Sequence, residues 1–139
     1  MGAASPRHTL FVYGTLRPRC RHPMANFLAQ RGVYRGEAKV SGQLFDLGRF
    51  PAAVPVVAHN EWVFGDLYEV DETTLAELDR YEAVESPGAS YFARRLHDAT
   101  PENGVPVAAW VYWFHGPLPP NATRIANGQY ERNFAPTNV

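Results

Sequence analysis

Apolar residues fall in short runs along the chain, and the spacing within each run names the element it builds. The run at 10–12 leads straight into Tyr13-Gly14-Thr15-Leu16-Arg17. It predicts a strand over about 9–14 that opens at once into a glycine turn. Such a turn is either an ordinary strand exit or a place where backbone N–H groups meet a small anionic or carbonyl ligand. Met24, Phe27 and Leu28 recur at helical spacing, so 22–31 is expected as a short helix. The stretch VYRGEAKVSGQLFDLG at 33–48 is β-branched and aromatic, broken by Gly36 and Gly42. It reads as one or two strands with a bend or bulge. RFPAAVPVVA at 49–58 carries two prolines and is expected as a loop or edge strand.

The strongest strand pattern is 61–71. Trp62, Phe64, Asp66, Tyr68 and Val70 share one face, and Val63, Gly65, Leu67 and Glu69 the other. Neither face is purely polar, as in a strand covered on both sides. DETTLAELDRYE at 71–82 predicts a helix capped by Asp71 or Thr73, with Leu75 and Leu78 turned inward. Ser, Pro and Gly break the chain at 86–90. Strands are expected at 91–99 and 105–116, around a loop at 100–106. A last helical turn or two, closed by Gly128, is expected within 122–134. Residues 1–8 are small and polar and read as a disordered tail, leaving a single domain over 9–139. Many strands, two or three helices and no βαβ alternation indicate an α+β fold, with a mixed or antiparallel sheet able to close into a barrel.

Composition narrows the function. The chain has 13 basic and 14 acidic residues, which argues against nucleic acid or an anionic membrane as partner. Arg17, Arg19, Arg21 and His22 form a small basic patch, expected as a solvated loop. The lone Cys20 allows no internal disulfide and is read as an incidental thiol. No secretory h-region or membrane-length apolar run occurs, so a soluble, cytoplasmic domain is expected. The five His are scattered without metal-ligand spacing, so no metal site is expected. No phosphate loop, dinucleotide motif or serine-hydrolase elbow occurs.

What remains is a carboxylate. Glu82 follows Leu78 by four residues, a spacing that allows it to project from the core-facing side of its helix. There it is either a base made available by a pocket or a surface Glu at a helix end. Glu85 is the neighbouring rival.

FVYGTLRP, GRFPAAVP, GDLYEVDETTLAELDRYEAV, YFARRL and IANGQYE occur here in one order. Together they make the sequence resemble the γ-glutamylcyclotransferase-like superfamily, including γ-glutamylamine cyclotransferases and AIG2-like proteins, over roughly 9–130. The resemblance implies a small mixed-strand β-barrel flanked by two or three helices. It implies that Tyr13, Gly14, Thr15 and Leu16 cradle the glutamyl end of the substrate. It places the catalytic acid/base at Glu82, although the family's usual Gly after that Glu is Ala83 here. Phe92 and Arg94 match an aromatic-x-Arg segment whose Arg is structural or orienting, and Tyr112 is a pocket wall or hydroxyl donor. The implied reaction converts a γ-glutamyl amine, peptide or conjugate to 5-oxoproline and a free amine, with no cofactor and no protein nucleophile. A non-catalytic small-molecule-binding module, or another acyl-transfer or hydrolytic enzyme on the same fold, stands as the alternative. The leaving amine and the oligomeric state are left open.

Overall fold

Alternation along 61–71 survives intact: Val63, Gly65 and Leu67 face one side of a strand and Asp66, Tyr68 and Val70 the other, all of them buried. The computed structural model describes residues 7–14, 16–18, 23–48, 51–56, 60–85 and 92–130, with the main chain alone at 82–85. In chain order the elements are β1 (Arg7–Val12), α1 (Pro23–Arg31), β2 (Val33–Ser41), β3 (Gln43–Asp46) and β4 (Pro51–Val54). Then come β5 (Trp62–Asp71), α2 (Glu72–Glu85), β6 (Phe92–Pro101), β7 (Val107–Phe114) and β8 (Thr123–Arg124).

β1, β5, β2, β6 and β7 pair in that order, and β7 returns to β1 to close a barrel. A ring of strands closes only with an even number of antiparallel junctions. Five strands therefore require at least one parallel junction, and it falls between β1 and β7, where Leu10 pairs with Trp110 and Phe11 with Val111. The other four junctions are antiparallel. Phe11, Val40, Val63, Leu67, Val111 and Trp113 fill the interior. Outward-facing Leu10, Val12, Tyr68, Val70 and Tyr112 form a second apolar layer with Leu28 of α1 and Leu75 and Leu78 of α2. One strand thus serves two cores, which is why 61–71 lacks a polar face.

Three details differ from the sequence reading. Strand β1 starts at Arg7, whose partner is Asp71, so residues 7 and 8 belong to the barrel; residues 1–6 lie outside the described residues. Segment 51–54 is no edge: β4 lies between β3 and β7. Proline is tolerated because Pro51 is the strand's first residue and Pro55 follows its last. Near 122–134 there is no helix among the described residues. Thr123 and Arg124 pair with β3, and a turn follows in which the Gly128 N–H donates to the Ile125 carbonyl at 3.0 Å. Two helices are present among the described residues, and neither is long and apolar enough to cross a membrane.

Candidate functional site

The chain leaves β1 through a turn closed by the Arg17 N–H donating to the Gly14 carbonyl at 3.0 Å. Gly14 is required here by close approach. A Cβ on it would stand 2.5 Å from Cγ of Pro51, the first residue of β4. The missing side chain thus makes room for the protein's own strand. The Tyr13 side chain turns into the barrel, where its hydroxyl donates to the Tyr112 carbonyl at 2.7 Å and accepts from the Ala53 N–H at 3.2 Å. Tyr13 therefore ties β1 to both β7 and β4. Leu16 is buried in the outer apolar layer together with Leu78 and Tyr112. Thr15 lies outside the described residues.

Helix α2 begins on Asp71, whose carboxylate accepts the Thr74 N–H at 2.8 Å. The cap is thus Asp71, and its partners on Thr74 hold the carboxyl below its ordinary value. Leu75 and Leu78 face the barrel, as their spacing requires. Glu82 lies in the last turn of α2, and its side chain, like that of Glu85, lies outside what is described.

One turn before Glu82, Asp79 collects three hydrogen bonds. Arg94 of β6 donates twice, at 2.8 and 3.0 Å, and the Tyr112 hydroxyl of β7 donates at 2.6 Å. The Arg94 guanidinium also lies over the Trp110 ring, 4.2 Å from its centroid. Trp110 in turn donates its indole N–H to His8 Nδ1 at 3.4 Å, and the other nitrogen of His8 meets Glu72 at 2.5 Å. Glu72 and Asp79 lie two helical turns apart on α2. A continuous polar seam therefore joins α2 to the barrel and reaches the turn that carries Glu82.

Arg17 overturns the expectation of a solvated basic loop. Its side chain is 2% exposed, and its Nε donates to Asp66 Oδ2 at 2.6 Å, with the Asp66 side chain 4% exposed. Arginine sits this deep because an equally buried carboxylate awaits it. Tyr34 donates to the other oxygen of Asp66 at 2.6 Å. Desolvation, reinforced by that carboxylate, pushes the Tyr34 phenol well above its ordinary value. Arg19, Cys20, Arg21 and His22 lie outside the described residues.

An open cavity of about 690 Å³ lies elsewhere, lined by Ser41, Trp62, His97 and Thr100 among others. His97 packs against Trp113 of the barrel interior, so it faces away from Arg94, three residues earlier on β6. Among the described residues, none of the sequence-predicted site residues lines it. Among the described residues no group of three or more His, Cys, Asp or Glu is placed to hold a metal ion.

Residues 10–132 match the family described as gamma-glutamyl cyclotransferase, AIG2-like. The chain belongs to this family. A gamma-glutamylcyclotransferase family protein, YtfP of Escherichia coli K12, is 38% identical over 112 residues, covering 78% of this chain and 84% of the relative. The gamma-L-glutamyl-butirosin B gamma-glutamyl cyclotransferase of Niallia circulans is 30% identical over 108 residues, 76% of this chain and 66% of that one. Among solved structures, an AIG2-like protein from Mus musculus superposes with a TM-score of 0.67 at 25% identity, covering 90% of this chain and 88% of that one. YkqA from Bacillus subtilis gives 0.70 at 25% identity, over 90% of this chain and 40% of that one.

For this member of the gamma-glutamyl cyclotransferase, AIG2-like family, the structure buries Leu16 and Tyr112 in one outer apolar cluster with Leu78, which stands one helical turn before residue 82 on α2. Sequence reasoning missed Asp79 and Asp66 as partners. Each had a signal: Asp79 stands one turn before Glu82, and Asp66 interrupts an otherwise apolar strand face.

Proposed function

We infer that the protein is a γ-glutamylcyclotransferase that cyclises a γ-glutamyl amine, peptide or conjugate to 5-oxoproline, with Glu82 as acid/base. The observation that carries the reading is the shared apolar cluster of Leu16 and Leu78. It sets Leu16 in one apolar layer with Leu78 of α2, four residues before Glu82, over Leu10 and Val12 of β1. The glutamyl carboxylate end is received by the amides of the 14–16 turn, a small anion-binding nest. Because the phenol of Tyr13 is committed to β7 and β4, this residue contributes through its main chain. Tyr112, held by Asp79, forms a wall.

In the reaction the substrate's α-amino nitrogen attacks its own γ-carbonyl carbon. The new N–C bond closes a five-membered lactam, and the bond to the departing amine breaks. On the way to the ring N–H the α-ammonium loses two protons. The leaving nitrogen gains two and departs as an ammonium. Glu82 carries one proton from the attacking to the leaving nitrogen, and solvent balances the other. Positioned acid–base groups contribute about 10²–10⁴-fold. Folding the substrate so that nitrogen and carbon meet supplies the rest, since intramolecular effective molarities reach on the order of 10⁵–10⁸ M. The relative named for γ-glutamyl-butirosin B supports conjugates, besides peptides, as a substrate class.

The deciding experiment follows 5-oxoproline release from a panel of γ-glutamyl amines, dipeptides, glutathione and amine conjugates, with Glu82→Gln beside the wild type. Release from one member, lost in a folded Glu82→Gln protein, establishes the reaction and the base. Retained activity in the variant moves the base to another group, Glu85 first. No release from any member removes this reading in favour of a binding role.

A further inference from the structure

The opening turn is followed by a feature that folding alone does not call for. Arg17 and Asp66 form an ion pair with side chains 2% and 4% exposed. Hydrophobic residues of similar volume at such a position commonly leave stability unchanged or improved, because two desolvated charges return little net energy. What they lack is direction. A guanidinium and a carboxylate meet in one geometry, whereas apolar side chains tolerate many.

That geometry closes a ring. Asp66 is the register partner of Val12, the last residue of β1. From Val12 the chain runs through Tyr13 and Gly14 into the turn, and at the far corner of the turn the Arg17 N–H binds the Gly14 carbonyl. The Arg17 side chain then reaches back to Asp66, beside the strand end from which the turn departed. Leu16, buried next to it, and Pro51, packed on Gly14, hold the same turn from two other sides.

A third residue fixes Asp66 from behind. Tyr34 donates to Asp66 Oδ1 at 2.6 Å and packs edge-on against Tyr68 with ring centroids 5.4 Å apart. It gets there through a bulge. Counting back from the pair of Glu37 with Asp66, an unbroken register would set Tyr34 opposite Glu69 on the other face. The register shift between Tyr34 and Gly36 sets it opposite Tyr68 instead, and Gly36 takes a φ of 110°. Such a φ suits glycine.

We propose that Tyr34, Asp66 and Arg17 form a positioning clamp that fixes Gly14 and Leu16, whose main chain receives the glutamyl carboxylate, against the end of β1. The proposal rests on the cyclotransferase reading and adds to it three residues that act through the turn rather than on the substrate.

The test replaces the charge pair by an apolar pair of similar bulk, Arg17→Met with Asp66→Leu. The double variant is expected to keep the wild-type thermal midpoint within a few degrees. It is expected to raise KM for the substrate found in the panel by more than about tenfold, with a smaller fall in kcat. Arg17→Lys is expected to recover little, because an ammonium lacks the planar fork. Tyr34→Phe is expected to raise KM less than the double variant does. A folded double variant with wild-type KM overturns the clamp. Amide hydrogen exchange at Leu16, compared with exchange along β1, gives a readout independent of turnover. Exchange faster by about tenfold at Leu16 alone supports the clamp; unchanged exchange overturns it. If wild-type protein releases no 5-oxoproline, the cyclotransferase reading fails while the exchange result still decides whether the pair holds the turn.

Discussion

Arg94 grips Asp79 with two hydrogen bonds of 2.8 and 3.0 Å, fastening β6 to α2 one helical turn before Glu82. Both side chains are partly exposed, at 24% and 39%, so the pair contributes modestly to stability. Its geometry matters more, because the same Asp79 oxygen that Arg94 Nε holds also receives the Tyr112 hydroxyl. Arg94→Lys is expected to cost about 1 kcal/mol in urea denaturation, from the lost fork and the lost contact with Trp110. Its kcat/KM for 5-oxoproline release is expected to fall further than that loss of stability accounts for. Equal activity in the two proteins would limit the pair to a structural fastener.

Gly14→Ala places a methyl group 2.5 Å from Pro51 Cγ. Overpacking of this kind costs roughly 1–3 kcal/mol. Pro51→Ala removes the colliding atoms, so the double variant is expected to regain most of the stability lost by Gly14→Ala. A thermodynamic cycle on the four proteins measures the coupling. Additive effects would show that something other than Pro51 excludes a side chain at position 14.

Tyr13→Phe keeps the ring in the barrel and removes one hydroxyl that serves two strands. The Ala53 N–H loses this acceptor, and the Tyr112 carbonyl loses this donor. Removing the acceptor of a buried N–H costs about 1–3 kcal/mol. The expected result is a lower urea midpoint with an unchanged denaturant slope, because the amount of surface exposed on unfolding stays the same.

Acid is expected to destabilise the fold in steps that belong to identifiable carboxylates. Hydrogen bonds from Thr74 hold Asp71 below its ordinary 3.8, and Gln43 with Arg124 and Arg35 hold Glu61 and Glu69 below 4.5. A carboxyl group depressed in the folded state contributes stability above its unfolded value. That contribution fades as pH falls from there through the folded value. Asp71→Asn keeps a good helix cap but removes the titration. Thermal midpoints between neutral pH and about pH 2 should fall less steeply below about pH 4 in this variant than in the wild type. Parallel curves would assign the acid sensitivity to other groups.

Local chemistry made the main elements legible in the chain. Period-two alternation placed β5 and both of its buried faces, and Asp71 marked the start of α2. Gly36 and Gly42 marked the bulge and the break between β2 and β3. The α+β class followed from the order of these elements, and the short motifs carried the family. All of these signals lie within a few residues of the structure they specify.

What only the tertiary structure decided depends on partners far away in sequence. Proline content made 51–54 look like a loop or edge, yet β3 and β7 pair with it from both sides. Arg17, one of a row of basic residues, finds Asp66 at a separation of 49. Arg94 finds Asp79 at a separation of 15, and Tyr112 reaches the same carboxylate from β7. Closing the barrel fixes strand order and register, and through them which outward side chains meet beneath the helices. A charged residue in a sequence carries no mark of whether water or another charge will receive it; here the strand register supplied the answer.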